Sequence, residues 1–161
     1  MTCERRLGRI LGLPCVCGEK VVGHVERAVP DATGQQVQGF IIRRGLGSAK
    51  WADRSDVSVV GDVSVILRRR PSRMPRGADL HLGPVKDEGG LTLGRVTDWW
   101  IDQEGLGITA LEVTLGVMED LMTGRRRVLR WTVHPGEDGM QVLLPREEWD
   151  KTTHKEAEKM G

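Results

Sequence analysis

The chain has no tyrosine and one phenylalanine among its 161 residues, so its aromatic mass is confined to five tryptophans. Any core must be filled by Val, Ile and Leu, with each tryptophan holding a specific place. Cysteine is also scarce: three residues exclude a disulfide-stapled scaffold and fit free thiols. No apolar run approaches the roughly 20 residues of a membrane-spanning helix. The opening MTCERRLGRILGLPCVCG carries charge but no sustained apolar stretch, so it does not read as a secretory signal, and the cytoplasm is the expected compartment. Also missing are a Gly-rich phosphate loop before a helix, a nucleophile elbow, a metalloprotease histidine pair and a dinucleotide fingerprint. The sequence therefore predicts no catalytic residue, no cofactor and no metal.

Glycine is plentiful, and its placement carries the strongest signal. When the chain is shifted against itself by 71 residues without a gap, Gly18, Gly23, Gly34 and Gly45 fall on Gly89, Gly94, Gly105 and Gly116. Residues 18–45 hold five glycines and residues 89–116 hold six, so chance placement gives about one coincidence. In the same register Val25 meets Val96, Asp31 meets Asp102, and Val22, Val29, Val37, Phe40 and Ile42 meet Leu93, Trp100, Ile108, Leu111 and Val113. The pattern predicts a tandem repeat of one unit, each copy near the lower size limit for a self-sufficient core.

The net charge of +1 conceals an asymmetry. Residues 1–80 carry 14 Lys/Arg against 8 Asp/Glu, and residues 81–161 carry 10 against 15. Much of the first excess lies in Arg68, Arg69, Arg70, Arg73 and Arg76, interleaved with Pro71 and Pro75. That composition predicts a linker. A second cluster, Arg125, Arg126, Arg127 and Arg130, follows Gly124.

Local patterning is β throughout. Val57 and Val59 alternate before Gly61-Asp62, and Val63, Val65 and Leu67 after it, which predicts a hairpin. Trp131, Val133 and Gln141–Leu144 flank a longer turn at His134–Gly139. The best helical candidate, Val117–Met122, is a turn or two at most. Short strands interrupted by glycine point to sandwiches or small barrels.

The residues Gly12-Leu13-Pro14, Gly18 through Gly23-His24-Val25, Asp31-Ala-Thr-Gly34 through Gly39-Phe40-Ile-Ile, and Trp51-Ala-Asp through Asp56-Val57 resemble a PRC-barrel domain. The stretch Gly89 through Gly94-Arg-Val-Thr-Asp98, Asp102, and Gly105 to Ile108-Thr-Ala-Leu-Glu-Val resembles the same domain again. After Gly116 the second copy lacks the Trp-Ala-Asp step and carries its arginine cluster instead. The resemblance implies an all-β fold of two tandem, small, partly open antiparallel β-barrels. The expected division is an N-terminal arm at 1–10, a first barrel at 11–67, a linker at 68–79, a second barrel at 80–147 and a polar tail at 148–161. Domains of this family occur in the photosynthetic reaction-centre H subunit and in a ribosome maturation factor that binds a ribosomal protein. The resemblance thus implies a non-catalytic adaptor, although the membrane helix of the one and the amino-terminal barrel of the other are not recognisable here.

Within this pattern Gly23 and Gly94 are expected at bulges or close backbone approaches. Asp31 with Gly34, and Asp102 with Gly105, have the spacing of Asx turns closed by a positive-φ glycine, which is a structural role and not metal ligation. Cys15 and Cys17 lie two apart on a strand with His24 nearby, and a buried reduced thiol is the expected role. Glu147-Glu148 reads as a solvated cap. Alternation from Val96 places Trp100 in the core and turns Trp99 outward with Arg95 and Thr97.

Three function classes follow. The leading one is a scaffold that binds another protein, or a second copy of itself, through Trp99 and Arg95, since Trp and Arg dominate interface hot spots. The second is RNA or ribosome association through Arg68, Arg69, Arg70, Arg73 and Arg76. It is less favoured, because no aromatic side chain for base stacking accompanies those arginines. The third is a thiol or metal protein using Cys15 and Cys17.

Overall fold

The computed structural model describes residues 3–116 and 124–148. The expected turn at Val117–Met122 and most of the tail lie outside the described residues. The fold is all-β. Its strands are β1 (Glu4–Arg6), β2 (Pro14–Cys17), β3 (Lys20–Pro30), β4 (Val37–Arg43), β5 (Lys50–Asp53), β6 (Val57–Val60), β7 (Val65–Leu67), β8 (Leu82–Lys86), β9 (Thr92–Asp102), β10 (Ile108–Thr114), β11 (Arg126–Val128), β12 (Thr132–His134) and β13 (Met140–Leu143). One helical turn, α1 (Leu7–Ile10), joins β1 to β2.

The strands form two sheets, one of which curls into a half-barrel. Their orders are β5-β4-β3-β2-β7-β6 and β11-β10-β9-β8-β13-β12, the second extended by β1 on β9. Read position by position the two orders correspond. Even the parallel pairs, β2 with β7 and β8 with β13, occupy the same place in each. The expected hairpins at Gly61 and at His134–Gly139 both form, as β6–β7 and β12–β13.

Two compact units divide the chain, and they are not consecutive along it. The first comprises Met1–Leu80 and Trp100–Ile108, the second His81–Trp99 and Thr109–Gly161. The hairpin end of β9 and β10 belongs with the first unit, where β1 pairs with it (Glu4 opposite Asp102, Arg6 opposite Trp100). The N-terminal arm is accordingly part of the fold, with Leu7 and Ile10 buried.

In the first unit a bulge decides which side chains face the core. Val25 lies opposite Ile42 and Arg27 opposite Ile41, so Glu26 is an extra residue on β3. An extra residue shifts the alternation by one. Ala28, opposite Phe40, therefore joins Val25 and Ile42 on one buried face. Val29 and Ile41 fall on the other face, where they cluster with Trp51 and Ala78.

That second face is covered by the segment expected to be a linker. Ser72 and Trp51 exchange both backbone hydrogen bonds at 2.8 Å, and Met74 and Leu80 pack onto the Val29–Trp51 cluster. The Arg27 guanidinium donates to the Leu80 carbonyl at 2.6 Å. Residues 68–80 carry prolines and arginines but also supply Met74, Ala78 and Leu80, and apolar cover for Trp51 outweighs the solvation of the charges around them. In the second unit the buried apolar residues among those described are Leu82, Val85, Trp99, Ala110, Leu111, Val113, Val128, Trp131, Met140, Val142 and Leu144.

The turns β3–β4 and β9–β10 touch each other reciprocally. The Val37 N–H donates to the Leu106 carbonyl at 2.9 Å, and the Ile108 N–H donates to the Gln35 carbonyl at 2.8 Å. Gln36 faces Gly107 between them as an isolated bridge. Under the 71-residue shift each of these bonds maps onto the other.

Close backbone approach explains one of the four glycine pairs, Gly23 with Gly94. A Cβ on Gly23 would lie 2.6 Å from Ile42 Cγ2 and 2.9 Å from the Arg43 carbonyl oxygen, and φ there is +150°. A Cβ on Gly94 would overlap the Thr114 carbonyl oxygen, the residue 71 positions beyond Arg43. Backbone atoms cannot swing aside as a side chain does, so overpacking is expected to cost about 1–3 kcal/mol. Gly94→Ala should lower the unfolding free energy by about that amount. Gly89→Ala, where the nearest atom to the new methyl is the Asp87 carboxylate at 3.4 Å, should change it by less than about 0.5 kcal/mol. Urea unfolding of the two variants checks both.

Candidate functional site

The first unit carries a concavity of about 570 Å³ lined by Cys3, Glu4, Arg5, Arg6, Arg9, Asp62, Trp100 and Gln103. Three elements build it. Strand β1 pairs with the end of β9 and sets Arg6 directly across from Trp100. The Arg6 guanidinium carbon then stands 5.1 Å from the centre of the Trp100 ring, within the range of a cation–π contact. Helix α1 places Arg9, exposed, one turn further on. The Gln103 amide donates to the Val60 carbonyl at 2.9 Å, and Arg5 ties to the carbonyls of Gly61 and Asp62. Trp100 thus presents an aromatic face beside Arg6 and Arg9, on a lining where three arginines outnumber the Glu4 and Asp62 carboxylates.

The tryptophan faces are the reverse of the sequence expectation. Trp99 is buried, 8% exposed, and Trp100 is half-buried on the opposite side of β9. In the 71-residue register Trp99 corresponds to Ala28 and Trp100 to Val29. Alternation from Val25 puts Val29 with it, but the bulge at Glu26 moves Ala28 there instead. On β9 the buried residues are likewise Trp99 and Ile101. Trp99 and Arg95 do not make a joint exposed surface: Arg95 is exposed, and its guanidinium reaches the Asp138 carboxylate at 3.0 Å.

The arginine strip divides. Arg68 donates from one nitrogen to the carbonyls of Ser55 (3.0 Å) and Val57 (2.9 Å), so it fastens the strip to β6. Arg69 stands 3.8 Å from the Asp56 carboxylate while largely exposed. Arg70, Arg73 and Arg76 are exposed. Arg70 opens onto a second cleft, of about 390 Å³, together with Lys20, Val21, Val22 and Arg44. Lys20 and Arg44 drew no attention in the sequence, because only strand register brings them beside Arg70.

The two aspartate turns form. Asp31 Oδ1 accepts from the Thr33 N–H (3.1 Å) and hydroxyl (2.7 Å), and Gly34 takes φ +68°. Asp102 Oδ1 accepts from the Glu104 N–H at 3.1 Å, but the positive φ expected at Gly105 falls on Leu106 (φ +57°). The Leu106 N–H bonds back to the Asp102 carbonyl, one residue further than the Gly34 N–H reaches to Asp31. The second turn is thus wider and puts its left-handed residue one place later. Glu148 is no solvated cap either: it is buried, and Oε1 accepts from the Leu129 N–H at 2.8 Å.

Cys15 is fully buried on β2, and desolvation pushes its thiol up from 9.0 to about 12. It stays protonated at neutral pH, a poor nucleophile and a poor metal ligand. Cys17 is half-buried and Cys3 exposed, and both are free thiols. Among the described residues no three His, Cys, Asp or Glu side chains gather with the geometry of a metal site. Among them too, no helix is long and apolar enough to cross a membrane. No model of a known protein family matches the chain, and no curated protein matches it.

Two measurements follow. Trp99→Ala should cost about 3–5 kcal/mol as a core truncation, and Trp100→Ala only about 1 kcal/mol or less beyond its partial burial, through the lost cation–π contact. Iodide should quench a variant retaining Trp100 alone more than one retaining Trp99 alone, and equal quenching would contradict the assigned faces. Because folding raises the Cys15 pKa, the unfolded thiol ionises first as pH climbs. The stability it contributes is complete below pH 9.0 and drains away as pH rises from there toward about 12. The chain has no tyrosine to titrate in that window. Cys15→Val should remove this component of the alkaline stability loss, measured by denaturant midpoints at stepped pH.

Proposed function

We propose that the chain is a non-catalytic scaffold, a tandem pair of PRC-barrel-like domains, that binds an acidic segment of another protein on its Trp100 face. The half-buried Trp100 ring under the Arg6 guanidinium, 5.1 Å away, carries the reading. A tryptophan left partly open beside two arginines has the composition of an interface hot spot. Arg6 and Arg9 on the rim favour carboxylates, and the concavity of about 570 Å³ is large enough for one or two partner side chains. The correspondence of strand orders and the mapping of Gly23 and Gly94 onto equivalent carbonyls support the tandem pair. The inner faces support a binding role on the outside, because Val25, Phe40 and Ile42, and in the second unit Leu111 and Val113, fill small cores.

A photo-crosslinking amino acid at position 9, with the exposed Leu46 as control position, should trap one protein from the native cell at its acidic segment. A synthetic peptide of that segment should then bind the purified chain, and Trp100→Ala should weaken it by about tenfold or more. Arg95→Ala should leave the affinity unchanged. Equal affinity for the Trp100→Ala chain would overturn the reading, as would crosslinking to a second copy of this chain alone.

A further inference from the structure

The cleft formed by Lys20, Arg44 and Arg70 lies apart from the Trp100 concavity, and nothing in the binding role just described uses it. Its three cations come from distant parts of the chain. Lys20 opens β3, Arg44 follows the last residue of β4, and Arg70 stands three residues beyond β7. Register brings them together: Cys17 pairs with both Lys20 and Leu67, and His24 pairs with Arg43, so the start of β3 and the ends of β2, β4 and β7 share one edge of the sheet.

At that edge the three side chains border a cleft of about 390 Å³, and its remaining lining is Val21 and Val22. No carboxylate lines it. The nearby basic residues elsewhere in the first unit are differently placed: Arg43 is bonded to Glu26 at 2.9 Å, Arg69 leans on Asp56, and Arg68 is spent on backbone carbonyls. Three like charges converging without an acid among them repel one another, and an anion of several negative charges relieves that repulsion.

We propose that this cleft binds a small ligand through a diphosphate group. Two arginines and a lysine can supply forked and point-charge donors to several phosphoryl oxygens at once, which a single carboxylate would leave unused. The volume suits a small ester and its diphosphate better than a chain of nucleotides. The lining has valines and no aromatic ring, so there is no platform for a stacked base, and an RNA strand would gain only backbone contacts here.

Isothermal titration of the intact protein with inorganic pyrophosphate and, in parallel, with a simple alkyl diphosphate and a single-stranded oligoribonucleotide tests the assignment. Pyrophosphate and the alkyl diphosphate should both bind with sub-millimolar affinity that falls as salt is raised. Arg44→Gln and Arg70→Gln should each weaken them by about tenfold. Arg73→Gln with Arg76→Gln, in the same arginine-rich segment but outside the cleft, should change nothing. Binding that is absent, or indifferent to Arg44→Gln and Arg70→Gln, would overturn the proposal. It would also be overturned if the oligoribonucleotide bound more tightly than either diphosphate and lost affinity equally on Arg73→Gln with Arg76→Gln, since that pattern belongs to a diffuse RNA-binding strip. All four arginines are exposed, so the variants should fold as the parent does, and none of them touches the Trp100 face.

Discussion

Close approach of backbone to backbone constrains both sheets, and it recurs at corresponding places in the two halves of the chain. At Gly23 the strand presses on the Arg43 carbonyl, and at Gly94 on the Thr114 carbonyl. A sheet that encloses a core of valine and isoleucine, with one phenylalanine to fill it, must coil tightly, and a side chain at either point would hold the strands apart. The coil in turn makes an interrupted alternation on β3 unavoidable. The bulge at Glu26 absorbs it, setting Ala28 beneath Phe40 and turning Val29 outward toward Trp51.

Fold class was legible because it rests on composition and period: short runs of valine alternating between glycines leave few alternatives to strands. Both short hairpins were legible for the same reason. The faces of Trp99 and Trp100 were not: alternation puts the two on opposite sides of β9, but Val96, from which the core side was counted, is itself only half-buried and does not mark it. No side chain in Val25-Glu26-Arg27 announces the bulge.

Charge misled in a different way. Arginines and prolines between residues 68 and 79 read as a solvated hinge, yet the same stretch contains Met74 and Ala78 with Leu80 just beyond, and these decide its fate by covering Trp51. Glu148 shows the converse: a carboxylate that looks like surface is drawn inward by one backbone N–H at Leu129. The basic cleft could not have been found from sequence by any local rule. Lys20, Arg44 and Arg70 are separated by more than twenty residues each, and only the pairing of β2 with β3 and β7, and of β3 with β4, makes them neighbours.

The reciprocal bridge at Gln36 and Gly107 has an evolutionary side. Each turn lends one donor and one acceptor to the other, Val37 to Leu106 and Ile108 to Gln35. An insertion or deletion in either turn would break both bonds at once. Within such a chain the two turns can change length only in concert, so they behave as one heritable unit written in two separate stretches of sequence.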